Sequence, residues 1–456
     1  MNDLLLKNGR VVDPGNDLDK EVDLLIIGGR VKEVGTDLKV PEGIEVVDAS
    51  GKHVIPGLVD IHVHFREPGQ SRKETIKTGM ASAAKGGFTS VVCMPNTTPS
   101  IDNPSTVALL EDQVQKVREN GHIHVYMTGA MTKGIGGEDL APIGSLYKAG
   151  VVAITDDGHC IQNNELMRRA CEYARMFDLA VMDHCQDYSL VTDGVMHEGY
   201  WSASLGLRGW PAAGEDLIVA RNILLAEQTG TWIHCQHVSS AKSVELIREA
   251  KARGIRISGE ACAHHFTLTD SAIAGSDVFW NGDGKVIYGD RYTPEELPQW
   301  PKYETRCKMN PPLRSAEDRE AVIQGVADGA LEILASDHAP HCDYEKEVEF
   351  DHAPFGITGL ETEFTLSLMQ LVHSGRMSFS DMVHRYTVAP ARLCKLEAGN
   401  LSPGMPGDVT VVDLNKEWSF KREDTASKSF NSPFYDWPLK GKAVMTIADG
   451  QIIWQD

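Results

Sequence analysis

The chain has 456 residues, 42% of them hydrophobic, with 42 Gly, 21 Pro and a formal net charge of −21. That length and apolar content allow a large buried core without staples. The acidic balance argues against nucleic acid as a partner, because phosphates need a basic surface, and no stretch approaches the roughly 20 apolar residues of a membrane span. Residues 1–7 carry neither the basic start nor the apolar run of an export signal. Nine scattered cysteines without a CxxC pair read as the reduced thiols of a cytoplasmic protein.

Residues 1–55 read as β-structure. Short apolar runs at 4–6, 10–12 and 23–27 are punctuated by Asn8-Gly9, Pro14-Gly15 and Gly28-Gly29. The apolar run 54–61 then leads into His62-Val63-His64. From 56 to 398 the pattern alternates. Strands are predicted at 88–93, 122–126, 151–154, 180–182, 231–233, 255–257 and 332–337, and helices at 105–119, 163–176 and 243–253. Repeated βα units imply a parallel sheet, and about eight of them favour a closed α/β barrel of the (β/α)₈, TIM type. Residues 276–305, polar and rich in Gly, Pro and Trp, break the rhythm and read as a long loop on the active-site side. The end returns to β-structure at 408–413, 443–447 and 451–454, with Asp449-Gly450 as a hairpin turn. The two terminal segments, 1–55 and 399–456, are therefore expected to build one small composite β-sandwich domain around a catalytic barrel at 56–398.

Chemistry-bearing residues recur at the ends of the barrel runs. His62 and His64 are two apart, so on a strand both rings face one side. One of Asp156 or Asp157 follows the strand at 151–154. His184 ends the run 179–183. Either His234 or His237 fits at the next strand, and His237, at its very end, is preferred. Asp337 closes the run 332–336. Imidazole and carboxylate are the ligands of zinc and similar ions, and strand ends are where a barrel builds its active site. A lone His-X-His would more often be two ordinary histidines; four further imidazole or carboxylate positions at strand ends change that balance. Asp337 can both touch a metal and shuttle a proton. Arg66 offers a planar fork for a carboxylate. Asn96, Asn310 and His341 are polar handles, and the backbone of Phe355-Gly356 could close over a ring. Cys185 and Cys235 read as small buried hydrophobes.

Taken together, His62-Val63-His64-Phe65-Arg66-Glu67-Pro68-Gly69, Met94-Pro95-Asn96-Thr97, Thr155-Asp156-Asp157-Gly158, His184-Cys185, residues 308–314, residues 337–341 and Ala353-Pro354-Phe355-Gly356 resemble a class I bacterial dihydroorotase of the amidohydrolase superfamily. The resemblance spans nearly the whole chain. It implies zinc-dependent, reversible cyclisation of N-carbamoyl-L-aspartate to dihydroorotate in pyrimidine synthesis. It also implies two zinc ions per subunit, one on His62, His64 and Asp337 and one on His184 and His237, bridged by Asp157 and a hydroxide nucleophile. Arg66, Asn96 and His341 would hold the substrate carboxylate, with Asn310, Phe355, Gly356 and His64 against the rest of it. A homodimer, and association with aspartate transcarbamoylase, are further expectations. Ala263 stands where the family more often has proline. The competing readings are a hydantoinase- or allantoinase-like cyclic amidase, whose usual bridge is a carboxylated lysine that this sequence does not offer at 155–158, and a non-catalytic homologue partnering aspartate transcarbamoylase, which would tend to lose metal ligands.

Overall fold

A computed structural model describes residues 3–118 and 121–456. The first two residues of the N-terminal segment and Glu119, the last of the helix expected at 105–119, lie outside the described residues.

The apolar run 54–61 is divided by Gly57. His53–Pro56 joins the terminal sheet, and Leu58–Val63 becomes the first barrel strand, β1. A methyl group on Gly57 would overlap the Thr89 side chain, so the crossing requires glycine. The barrel continues with β2 (Phe88–Cys93), β3 (His124–Gly129), β4 (Ala153–Ile154), β5 (Ala180–Asp183), β6 (Ile233–Cys235), β7 (Ile257–Cys262) and β8 (Ile333–Ala335). Neighbours pair in parallel in this order. A parallel bridge between Val63 and His338, with His64 N–H donating to the His338 carbonyl at 2.9 Å, brings the two ends together. Every β1 and β2 residue is buried, as expected for strands covered on both faces. Helices such as Asn164–Arg175 and Ala241–Ala252 form the outer layer, each started by a side chain, Asn163 or Ser240, that accepts free backbone N–H bonds.

The chain ends meet as expected. A six-stranded sheet combines Arg10–Asp13, Leu18–Glu21 and His53–Pro56 with Val409–Ser419, Pro438–Ala448 and Gln451–Gln455. A four-stranded sheet of N-terminal strands accompanies it, and Leu4, Leu24, Val54, Val411 and Ile447 share one core. The turn at Asp449-Gly450 has φ of 47° and 70°, the left-handed pair of a tight hairpin.

Two expectations need correction. The strand expected at 255–257 lies further along, at Ile257–Cys262; pairing with β6 and β8 outweighs the local β-branched signal. The expected loop at 276–305 contains two helices, Ser276–Asn281 and Lys285–Tyr288. Its aromatic residues explain this. Trp280 and Trp300 pack on Trp437 of the C-terminal segment, at centroid distances of 4.8 and 6.4 Å, and their indole N–H groups donate to the Pro298 and Ala272 carbonyls.

Candidate metal centre and active site

The carboxyl ends of the strands converge on a cavity of about 240 Å³. His64, Arg66, Asn96, Asp157, His184, His237, Asn310, Asp337, His341, Phe355 and Gly356 all line it, and His62 lies fully buried beneath. Larger clefts, of about 360, 330 and 290 Å³, lie elsewhere and are walled by other residues. Residues 276–305 follow the carboxyl end of β7, on the side of the barrel that carries the site, but none of them lines the cavity.

Each ring is aimed by its second nitrogen. His62 Nδ1 lies 2.5 Å from Glu260 Oε1, and His64 Nδ1 lies 2.9 Å from Asn96 Oδ1. Their Nε2 atoms therefore face the mouth. Both are 3.3 Å from the Asp157 carboxylate, and they lie 3.5 and 3.2 Å from Asp337 Oδ1. Across the site, His184 Nδ1 and His237 Nε2 are 2.8 Å apart and each 3.7 Å from Asp157 Oδ1. His184 Nε2 is held by Gln186 Oε1 at 2.9 Å.

The geometry separates residues that sequence could not. Asp157 sits among four histidines. Asp156 turns away and accepts from the Met131 and Thr132 N–H groups at 2.7 and 3.0 Å and from the Thr132 hydroxyl. His237 faces the cavity, whereas His234 is satisfied inside the barrel by Ser258 and Glu260, each at 2.9 Å. Arg66, His237 and Asp337 have positive φ of 63°, 34° and 45°, a conformation costing about 1–3 kcal/mol each that persists at functional sites.

The cluster's field calls for a cation. Burial opposes a charged His62, yet Asp157, Glu260 and Asp337 outweigh it and hold the ring well above the ordinary histidine range. Burial would raise Asp157, but His62, His184 and His237 hold it well below the carboxylate range. His62 Nε2 and Asp157 Oδ1 are buried without hydrogen-bond partners, as fits atoms that ligate a cation. His62, His64 and Asp337 form one grouping with ligand atoms within 4.8 Å, and His62, Asp157 and His237 another. Neutral imidazole and carboxylate fit zinc-like divalent ions.

The polar wall faces this cluster. Arg66 is 9% exposed and, among the described residues, has no carboxylate within ion-pair distance; its Nε donates to the Pro340 carbonyl at 3.2 Å. Burial pulls its guanidinium down to about 10, so it stays charged at neutral pH. His341 is more committed than the sequence implied. Lys73 Nζ lies 3.2 Å from its Nδ1, and its Nε2 lies 2.8 Å from the Phe355 carbonyl. Burial, then Arg66 and Lys73, keeps it far below the usual histidine range. Asn310 Nδ2 donates to Gln186 Oε1 at 3.1 Å and leaves its buried Oδ1 free.

Sequence reasoning missed Glu260, Gln186 and Lys73. Glu260 binds His62 Nδ1, His234 Nε2 and the His237 N–H. An acid in the middle of an apolar strand was its visible signal. Gln186 and Lys73 sit in polar loops and gave none.

A parallel barrel with imidazoles and carboxylates gathered at its strand ends defines the class, a cyclic amidohydrolase. Solved structures of this architecture match over essentially the whole chain. They include the L-hydantoinase from Arthrobacter aurescens (TM-score 0.84, 23% identity, covering 100% of this chain and 96% of that one) and the dihydropyrimidinase from Brevibacillus agri (0.81, 20%, 99% and 95%). At those identities the likeness is one of fold. Residues 51–243 match the dihydro-orotase-like family model. Dihydroorotases from Citrifermentans bemidjiense and Pelotomaculum thermopropionicum are each 46% identical, over 99% of both chains. The chain belongs to the dihydroorotase family.

Proposed function

We propose that the protein is a class I dihydroorotase that interconverts N-carbamoyl-L-aspartate and (S)-dihydroorotate in de novo pyrimidine biosynthesis. The observation that carries this reading is Arg66, a buried guanidinium that faces a histidine–carboxylate cluster and, among the described residues, has no carboxylate within ion-pair distance. A buried charge without a direct ion-pair partner carries a desolvation cost, and a carboxylate on the ligand offsets it. Both proposed reactants carry one. The cavity lining includes no lysine, which speaks against the carboxylated-lysine bridge of the hydantoinase reading.

Two zinc ions per chain are part of the proposal, one on His62, His64 and Asp337 and the other on His184 and His237, with Asp157 between them. When bound, such ions polarise a carbonyl and make water nucleophilic at neutral pH. The chain's own residues do the rest. Arg66 and Asn96 orient the substrate carboxylate, with His341 beside them, and Asn310 and Phe355-Gly356 hold the ring. Asp337 carries the proton between the attacking oxygen and the amide nitrogen. Burial raises its carboxyl, but His62 and His64 outweigh burial and keep it ionised, as a base must be. A cytoplasmic homodimer that associates with aspartate transcarbamoylase is carried with this reading on family resemblance. The domain division at 1–55 with 399–456 and 56–398 is supported by the passage of the chain between sheets at Gly57.

The test is dihydroorotate hydrolysis by the purified protein, before and after chelation, with metal content measured in parallel. Chelator-sensitive turnover restored by zinc is the expected result. Bound metal without turnover on dihydroorotate would reject the substrate, and turnover indifferent to complete metal removal would reject the metal role.

A further inference from the structure

Strand β7 ends in a second group of ligand-type side chains that the proposed reaction does not use. Cys262, His264 and His265 offer one sulfur and two ring nitrogens within 4.8 Å of one another. A turn makes the group. The His265 N–H donates to the Cys262 carbonyl at 2.9 Å, so residues three apart fold back together. The two rings are 4.2 Å apart, inclined at 58°.

All three side chains are deeply buried, at 0%, 3% and 4% exposure, yet each histidine keeps a buried ring nitrogen without a partner. His265 Nε2 donates to the Pro311 carbonyl at 2.9 Å, and its Nδ1 is buried without a partner. This is how a ligating imidazole is oriented: one nitrogen fixed by a carbonyl, the other left with its lone pair. His264 Nε2 is likewise buried and unpartnered. An unmet buried polar atom costs about 1–3 kcal/mol, and two side by side at a cysteine need a reason.

We propose that Cys262, His264 and His265 form a further metal site, distinct from the His62–Asp157 cluster and suited to a borderline-soft ion of the zinc class. A thiolate with two imidazoles is a ligand set for such ions, with a fourth position left for water. Burial holds both histidines neutral, the form that ligates, with His265 pulled down to about 3. Burial, then Asp337 and Glu260, keeps the proton on the Cys262 sulfur. Those same carboxylates attract a cation, and the thiol proton leaves to solvent when one binds.

The experiment is cobalt(II) reconstitution of chelator-stripped full-length protein, read by absorption and by metal per chain, neither of which depends on turnover. A sulfur-to-cobalt charge-transfer band is expected. The His62–Asp157 cluster has no sulfur ligand and cannot produce it. Cys262→Ser should lose the band and one metal per chain, while Cys185→Ser and Cys235→Ser keep both. His265→Gln, which leaves the sulfur in place, should weaken cobalt binding at the band by tenfold or more. Wild-type protein without a sulfur band overturns the proposal without recourse to any variant, as does a band that survives Cys262→Ser or follows Cys185 or Cys235 instead.

Discussion

Arg66 and Glu260 are buried charges with different partners. Glu260 is compensated within the protein: burial raises its carboxyl, but His62 and His234 pull it down to about 2, and it fixes His62 Nδ1 and the His237 N–H together. Replacing it by Gln keeps the volume and removes the charge that aims two ligands. Glu260→Gln is expected to lower metal affinity by about 10–100-fold with little change in fold. Competition against a chelator of known affinity measures this; unchanged affinity would remove Glu260 from the metal centre. Arg66 feels Asp337 and Asp157 only at a distance and, among the described residues, makes no direct ion pair, so its close partner is read as the substrate. Arg66→Lys keeps the charge and loses the fork. KM should rise about tenfold or more, the loss of a charged hydrogen bond, with a smaller change in kcat. Equal KM values for the two proteins would count against that assignment.

At the scale of elements, legibility followed the range of the forces involved. The β1 histidines were readable because strand alternation is local: two rings, two residues apart, share a face. The choice of Asp157 over Asp156 was not, since both follow the same strand, and the deciding contacts come from Thr132, 24 residues away. His234 and His237 posed the same problem; Ser258 and Glu260 on the neighbouring strand settle which one turns inward. The helices in 276–305 were hidden because their apolar partners include Trp437, distant in sequence. The sequence placed a domain boundary inside the run 54–61, at 55/56, but not the reason for it: Gly57 is demanded by Thr89 on another strand. That junction gives a direct test. Gly57→Ala forces a methyl group into the Thr89 side chain at the passage from terminal sheet to barrel. A loss of about 1–3 kcal/mol in urea unfolding is expected, and wild-type stability would show that the two strands can separate without cost.

Across the whole molecule, the terminal segments do more than bracket the barrel, because they also bind its lower rim. His124 opens β3, and its Nε2 lies 3.1 Å from Asp408 and 3.6 Å from Asp449 of the C-terminal segment. Arg118 reaches the same Asp449 at 2.7 Å. Burial disfavours a charged His124 and Arg118 opposes it further, but Asp408, with help from Asp449, raises its pKa above 6.5. The folded protein thus holds the proton more tightly than the unfolded chain. The stabilisation is fully present below the unfolded value of 6.5 and is lost as pH rises through the higher folded value. His124→Gln should therefore cost about 1–2 kcal/mol near pH 6, the scale of a charged hydrogen bond, and progressively less in alkaline solution. Urea unfolding of both proteins across that range measures it. A difference that stays constant with pH would mean that His124 joins barrel and terminal sheet by packing alone, and a difference that grows with pH would reverse the sign of the coupling.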